Sequence, residues 1–138
     1  MDREEIQRIL PHRPPMLLLD DVSERDGVAL GHYHVRGDEF FLQGHFPGNP
    51  MVPGVILCEI MAQSACALLE DRMSEGALFV YAGIDKAKFK KSVLPGDTVE
   101  VTCSLKRVIH PFFIVDAEAS VDGNLCASAT LTLALTEV

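Results

Sequence analysis

Gly44-His45-Phe46-Pro47-Gly48-Asn49-Pro50-Met51-Val52-Pro53-Gly54 organises the chain, because nothing regular can form in it and something very regular follows. Three glycines and three prolines fall within these eleven residues, a density that neither a helix nor a central strand tolerates. The stretch is expected to be an ordered loop with specified backbone angles. From Gly54 to Arg72 the composition changes abruptly. Val55, Ile56, Leu57, Cys58, Ile60, Met61, Ala62, Ala65, Ala67, Leu68 and Leu69 leave almost no polar face. The pattern predicts one helix of about nineteen residues, roughly 28 Å long at 1.5 Å per residue, buried because it has no side for water.

The flanks of this unit read differently from each other. Upstream, Ile6–Leu10 suits one or two helical turns stopped by Pro11. Pro14-Pro15 breaks structure again, and the apolar run Met16–Leu19, continuing through Val22, is expected to be a strand. Val28–Val35 alternates as a strand should, with Gly27 as its turn. Downstream of Gly76 the chain reads as strand throughout: Leu78–Phe89, then Thr98–Val108 after the Pro95-Gly96-Asp97 turn. Phe112–Val121 and Leu125–Leu135 form a hairpin closed by Asp122-Gly123, a strong turn dipeptide. Five or six mostly antiparallel strands and one apolar helix predict an α+β domain, its sheet curled around the helix. No repeat, linker or low-complexity segment divides residues 1–138, so a single domain is expected.

Bulk properties narrow the function. A net charge of −8 argues against nucleic-acid binding, which needs a basic footprint. A hydrophobic content of 48% is high for a small monomer and points to burial against another chain, with a rich core as the alternative. No basic start precedes an apolar run, and Glu59 and Gln63 interrupt the longest apolar stretch, so neither a leader nor membrane insertion is expected. Cys58, Cys66, Cys103 and Cys126 have no C-x-x-C spacing and sit among apolar residues, as reduced thiols of a cytoplasmic protein would. His32 and His34 share a strand face, but no third ligand at recognisable spacing makes them a metal site. Six of the twelve Lys and Arg residues lie between Lys86 and Arg107. Strand alternation would put Lys86, Lys88 and Lys90 on one face, either to dock an acidic partner or to deter edge-to-edge pairing.

Two ionisable residues fall where a purely structural reading is strained. Glu59 lies in the second turn of the apolar helix, where an unpaired carboxylate must find a partner, stay protonated or face a pocket. His45 lies in the loop that leads into the same helix, which can fold back towards its first turns. Each alone has a bland explanation: a loop histidine is commonly structural, and a helical glutamate can cap a backbone group or meet an arginine. The helix start adds a third part. Gly54 has no side chain to obstruct a ligand, and first-turn N–H groups have no intrahelical acceptor, so they can face a developing oxyanion. The set suits proton abstraction beside a carbonyl. A neutral imidazole takes the α-proton, and a carboxylic acid, kept protonated by burial, donates to a hydroxyl leaving the β-carbon. His12 with Arg13, between breakers, reads as a structural anchor.

The string from Gly44 to Val55, followed by Glu59-Ile60-Met61-Ala62-Gln63, closely resembles the (3R)-hydroxyacyl-acyl-carrier-protein dehydratases of FabZ type. The resemblance runs over nearly the whole chain and includes Leu10-Pro11-His12-Arg13-Pro14, Gly83-Ile84-Asp85-Lys86-Ala87-Lys88-Phe89 and Pro95-Gly96-Asp97. It implies a hot-dog fold, an antiparallel sheet wrapped around a long central helix. It also implies homodimers with two composite sites at their interface, assembled three dimers to a hexamer. His45 would be the base and Glu59, from the partner chain, the acid; Gly54 and Gln63 would bind substrate. The acyl chain would arrive on the phosphopantetheine arm of acyl carrier protein, with no cofactor or metal needed. The chain departs from the family pattern at Pro15-Met16, where an aromatic pair is usual after Pro14, and at His110-Pro111-Phe112-Phe113. Rival readings are an isomerising FabA-type dehydratase, which typically carries Asp where this chain has Glu59, a hot-dog thioesterase and a non-catalytic acyl-binding module.

Overall fold

The computed structural model describes residues 1–73 and 77–137; Gly76, the expected boundary of the strand-rich half, lies outside them. Helix α1 (Arg3–Ile9) starts at Asp2, whose side chain and backbone exchange hydrogen bonds with Glu5 in a capping box. Six strands follow: β1 (Asp21–Arg25), β2 (Val28–His34), β3 (Ala77–Phe89), β4 (Thr98–Ile109), β5 (Phe112–Val121) and β6 (Asn124–Glu137). They pair antiparallel in one sheet of order β1-β2-β4-β5-β6-β3. Two hairpins turn on Asp-Gly pairs with both residues at positive φ, Asp26 (53°) with Gly27 (80°) and Asp122 (51°) with Gly123 (79°). This is the turn whose twist matches paired strands.

The sheet curls around α2 (Gly54–Ser64), whose Leu57, Ile60 and Met61 pack against Val99, Val101, Val115 and Leu131 in the main core. The predicted nineteen-residue helix is shorter than expected. It stops at Ala65, and a separate turn, α3 (Cys66–Leu69), runs into a 3₁₀ turn at Glu70–Arg72. The Ser64 hydroxyl bonds back to the Ile60 carbonyl at 2.8 Å, a contact that bends helices. A Cβ at Gly31 would lie 2.9 Å from the Ser64 Cβ, so β2 admits the end of α2 only because position 31 is glycine.

Two further expectations change. Met16–Leu19 is not a strand, although Leu17, Leu18 and Leu19 are all buried. Leu17 and Leu19 join Ile6, Leu10, Val22 and Cys66 in a small cluster beneath α1, while Leu18 enters the main core. Burial of the helix is also incomplete within one chain, since Val55 in its first turn is 73% exposed. All four cysteines are buried free thiols. No helix among the described residues is long and apolar enough to cross a membrane.

Candidate functional site

The loop from residue 44 to 53 is ordered by its own backbone. Phe46 N–H and Asn49 N–H exchange bonds with each other's carbonyls, Met51 N–H reaches the His45 carbonyl at 2.9 Å, and Val52 N–H ties the loop to Val93. Gly48 sits at φ 71°, a conformation that L side chains rarely adopt. His45 is half-buried, its ring stacked on Phe46 at 4.0 Å. Its Nδ1 lies 2.9 Å from the Met51 carbonyl oxygen. A carbonyl only accepts, so Nδ1 carries the proton, and in the neutral ring Nε2 keeps a free lone pair. The loop thereby selects the tautomer a base requires.

His45 lines a cleft of about 710 Å³ together with Gly54, Val55, Leu57, Phe89 and Lys90. The helix start in that cleft has no side-chain cap. Ile56 and Leu57 both donate to the Pro53 carbonyl, and no acceptor among the described residues engages the N–H of Gly54 or Val55. The space over Gly54 is used by the Phe89 ring: a Cβ there would lie 2.9 Å from Phe89 Cε1. The missing side chain thus lets an aromatic ring, itself 52% exposed, close down on the helix end.

Glu59 is one turn further along α2, with its side chain 20% exposed. Gln63 Nε2 donates to Glu59 Oε2 at 2.8 Å. The same amide donates to the Met16 carbonyl and accepts from Leu18 N–H, both at 2.8 Å. Gln63, expected to bind substrate, is 2% exposed with both of its N–H groups committed. Its remaining link to the site is the bond to Glu59. His12 Nε2 lies 3.3 Å from Glu59 Oε2, a contact that sequence reasoning missed. Arg13 is the anchor beside it, donating to the carbonyls of Gln7, Leu10 and His12. On the other side, Tyr81 donates to the Cys58 carbonyl. Burial, and then the nearby Glu59 carboxylate, push the Tyr81 phenol well above its ordinary range, so it stays a neutral donor.

Within one chain the two halves stay apart. Among the described residues no hydrogen bond or ion pair joins His45 to Glu59, and Glu59 does not line the cleft beside His45. The lysine stripe also divides. A bulge between Asp85 and Lys88, with Lys86 at φ 53°, breaks the strand alternation. Lys86 and Lys88 still flank one groove on the sheet with Asp116 and Glu118, whereas Lys90 and Lys91, beyond the end of β3 at Phe89, line the His45 cleft. His32 and His34 do not converge. His32 bridges Asp21 and Glu100 at 2.7 and 3.1 Å, and His34 meets the Thr98 hydroxyl at 2.9 Å.

A family model described as FabA-like domain matches residues 10–130. The chain is 46% identical over 136 residues to the 3-hydroxyacyl-(acyl-carrier-protein) dehydratase FabZ of Streptococcus pyogenes serotype M5, covering 97% of this chain and 98% of that one. Among solved structures, the dehydratase heterocomplex ApeI:P from Xenorhabdus doucetiae superposes with a TM-score of 0.81 at 22% identity, covering 96% of this chain and 91% of that one. The fluoroacetyl-CoA thioesterase FlK superposes with a TM-score of 0.70 at 15% identity, covering 83% and 90%. The hot-dog fold is therefore shared with dehydratases and thioesterases alike, and it does not by itself choose between them.

Proposed function

The chain belongs to the FabA-like family and groups with its FabZ-type dehydratases, and from that premise we propose that it removes water from (3R)-hydroxyacyl-acyl-carrier-protein, giving the trans-2-enoyl thioester in cytoplasmic fatty acid synthesis. The observation that carries the mechanism is the fixed His45 tautomer beside an uncapped helix start in one cleft. The thioester oxygen sits against the Gly54 N–H, where the helix end stabilises enolate charge. His45 Nε2 takes the α-proton, and the C–H electron pair moves into the forming enolate. As the enolate collapses to the 2,3-double bond, Glu59 gives its proton to the β-hydroxyl, the C–O bond breaks and water leaves. The proton on His45 then returns to solvent and Glu59 is reprotonated.

Glu59 reaches this cleft from the partner subunit of a homodimer, three of which form a hexamer. Two observations support a partner's contribution: no hydrogen bond or ion pair joins His45 to Glu59 within one chain, and Val55, Val80, Tyr81 and Ile84 are left exposed around the helix start and the β3 edge. Gln63 holds Glu59 in place. Lys90 and Lys91, on the cleft lining, receive the acidic carrier protein, whose phosphopantetheine arm supplies the substrate.

Purified protein acting on a 3-hydroxyacyl carrier-protein substrate, with the double-bond position of the product determined, tests this reading. A trans-2-enoyl product, lost in His45→Ala and in Glu59→Gln, is expected. A product mixture containing the 3-enoyl isomer would assign isomerisation as well. Free acid released from the thioester would make the protein a thioesterase, and full activity in His45→Ala would remove the base.

A further inference from the structure

Both neighbours of the Glu59 carboxylate address the same oxygen. Gln63 Nε2 donates to Oε2 at 2.8 Å, and His12 Nε2 stands 3.3 Å from it, while Oε1 makes no hydrogen bond among the described residues. His12 has an unusual second nitrogen: Nδ1 is buried and lacks any partner among the described residues. A proton on Nδ1 would place an N–H where no acceptor exists, and doubly protonating the ring would add a charge there as well. The tautomer that leaves this buried nitrogen bare carries its hydrogen on Nε2, the nitrogen that lies 3.3 Å from Glu59 Oε2. The segment that carries it is pinned from two sides. Arg13 ties it to the carbonyls of Gln7 and Leu10, and Gln63 ties Met16 and Leu18 to α2.

We propose that His12 is a positioning residue for the acid: it joins Gln63 in donating to Oε2 of Glu59, so that the proton delivered to the leaving hydroxyl is carried on Oε1. The inference rests on the reading of Glu59 as that acid. The His12 contact stands at an ion-pair distance of 3.3 Å without forming a hydrogen bond, and the proposal requires it to close into one when substrate fills the site. A donor on Oε2 stabilises the carboxylate relative to the acid, so removing the His12 donor is expected to move the pH dependence of turnover. The other groups facing Glu59 are Tyr81 from β3 and Cys58 and Gln63 from α2. Burial first and Glu59 second push both the tyrosine and the cysteine upwards, which keeps them neutral through the working range. The partner's His45, on the reading above, is the remaining titrating group.

The test is the pH dependence of kcat for the whole protein on a 3-hydroxyacyl carrier-protein substrate, in wild type, His12→Ala, His12→Gln and Glu59→Gln. His12→Ala is expected to lower kcat about ten-fold and to move its alkaline limb to higher pH. KM should change by less than about two-fold, because His12 does not touch substrate. His12→Gln, whose amide N–H takes the place of Nε2–H, restores most of kcat and returns the limb. An alkaline limb that stays put in His12→Ala, or a His12→Gln variant as impaired as His12→Ala, overturns the proposal. Near-wild-type turnover by Glu59→Gln overturns instead the assignment of the acid. Should His12→Ala fail to fold, NMR of isotope-labelled histidine in the wild type decides. A proton on Nε2 of His12 supports the proposal, and a proton on Nδ1 sinks it.

Discussion

At the start of α2, His45 is fixed by one ring-to-backbone bond to Met51, six residues away, in a loop closed mostly on itself. Little more than one turn further along, Glu59 is fixed through Gln63 to Met16 and Leu18, and it faces His12, all more than forty residues distant in sequence. The two regions teach that the two members of the proposed acid–base pair need not be held by one strategy. The histidine depends on local backbone geometry, which an exposed loop can supply without help from the core. The glutamate depends on tertiary structure, so its placement and the stability of the fold draw on the same bonds. Side-chain changes at the histidine end should therefore cost activity alone, and those at the glutamate end should cost both.

The sharpest way to break this contrast is to remove each half. His45→Ala and Glu59→Gln are both expected to lower turnover by about 10²–10⁴-fold in a dehydration assay. His45→Ala should change unfolding free energy by less than about 1 kcal/mol, because a half-exposed loop ring is lost. Gln63→Leu is next: it strands Leu18 N–H and the Met16 carbonyl in the interior and is expected to cost about 2–4 kcal/mol in denaturant unfolding, with turnover falling as Glu59 loses its donor. A Gln63→Leu protein as stable as wild type would erase the distinction between the two halves.

Gly31→Ala sharpens the same point from the sheet. The new methyl would meet Ser64, so α2 must lift or the strand must bend, at a cost of about 1–3 kcal/mol read from thermal or denaturant unfolding. Turnover should fall with it if Glu59 rides on the displaced helix. The smallest effect concerns a titration outside both halves. Burial works against a charged His32, but hydrogen bonds and charges from Asp21 and Glu100 outweigh it and raise its pKa above the usual 6.5. The stabilisation is thus complete below about pH 6.5 and fades as pH rises through the higher folded value. Melting temperatures of wild type and His32→Gln should differ at acidic pH and converge at alkaline pH. A gap that widens with pH would reverse the sign.

Legibility followed the same divide. The strands and their hairpins were readable because alternation and the Asp122-Gly123 dipeptide are local signals, as was the loop from Gly44 to Gly54 with its glycines and prolines. The helix end was misread because the Ser64 back-bond and the opening at Gly31 depend on packing between α2 and β2. Leu17–Leu19 read as a strand because an apolar run does not reveal that its residues serve two separate clusters. The lysines were assigned one face because nothing local announces that β3 ends at Phe89, before Lys90. His12 was taken for an anchor, a part that Arg13 plays, because its approach to Glu59 exists only once the segment before β1 has folded over α2. For Gln63, the family resemblance implied a substrate-binding residue beside Glu59 but not that its amide would be fully occupied.

The strand order carries a consequence for how the molecule is made. β3 is the first strand after α2 and α3 among the described residues, yet it lies at the sheet edge and its only strand partner among them is β6, with Ala77 opposite Glu137 and Phe89 opposite Ala127. During synthesis, β3 must wait unpaired until β4, β5 and β6 have all emerged, while β1 and β2 can already close as a hairpin. Its Phe89 end, which covers the helix start, is held back by the same delay. Closing that long loop late is entropically slow and leaves an apolar edge open to solvent, which makes the nascent chain most vulnerable to self-association just before its final strand arrives.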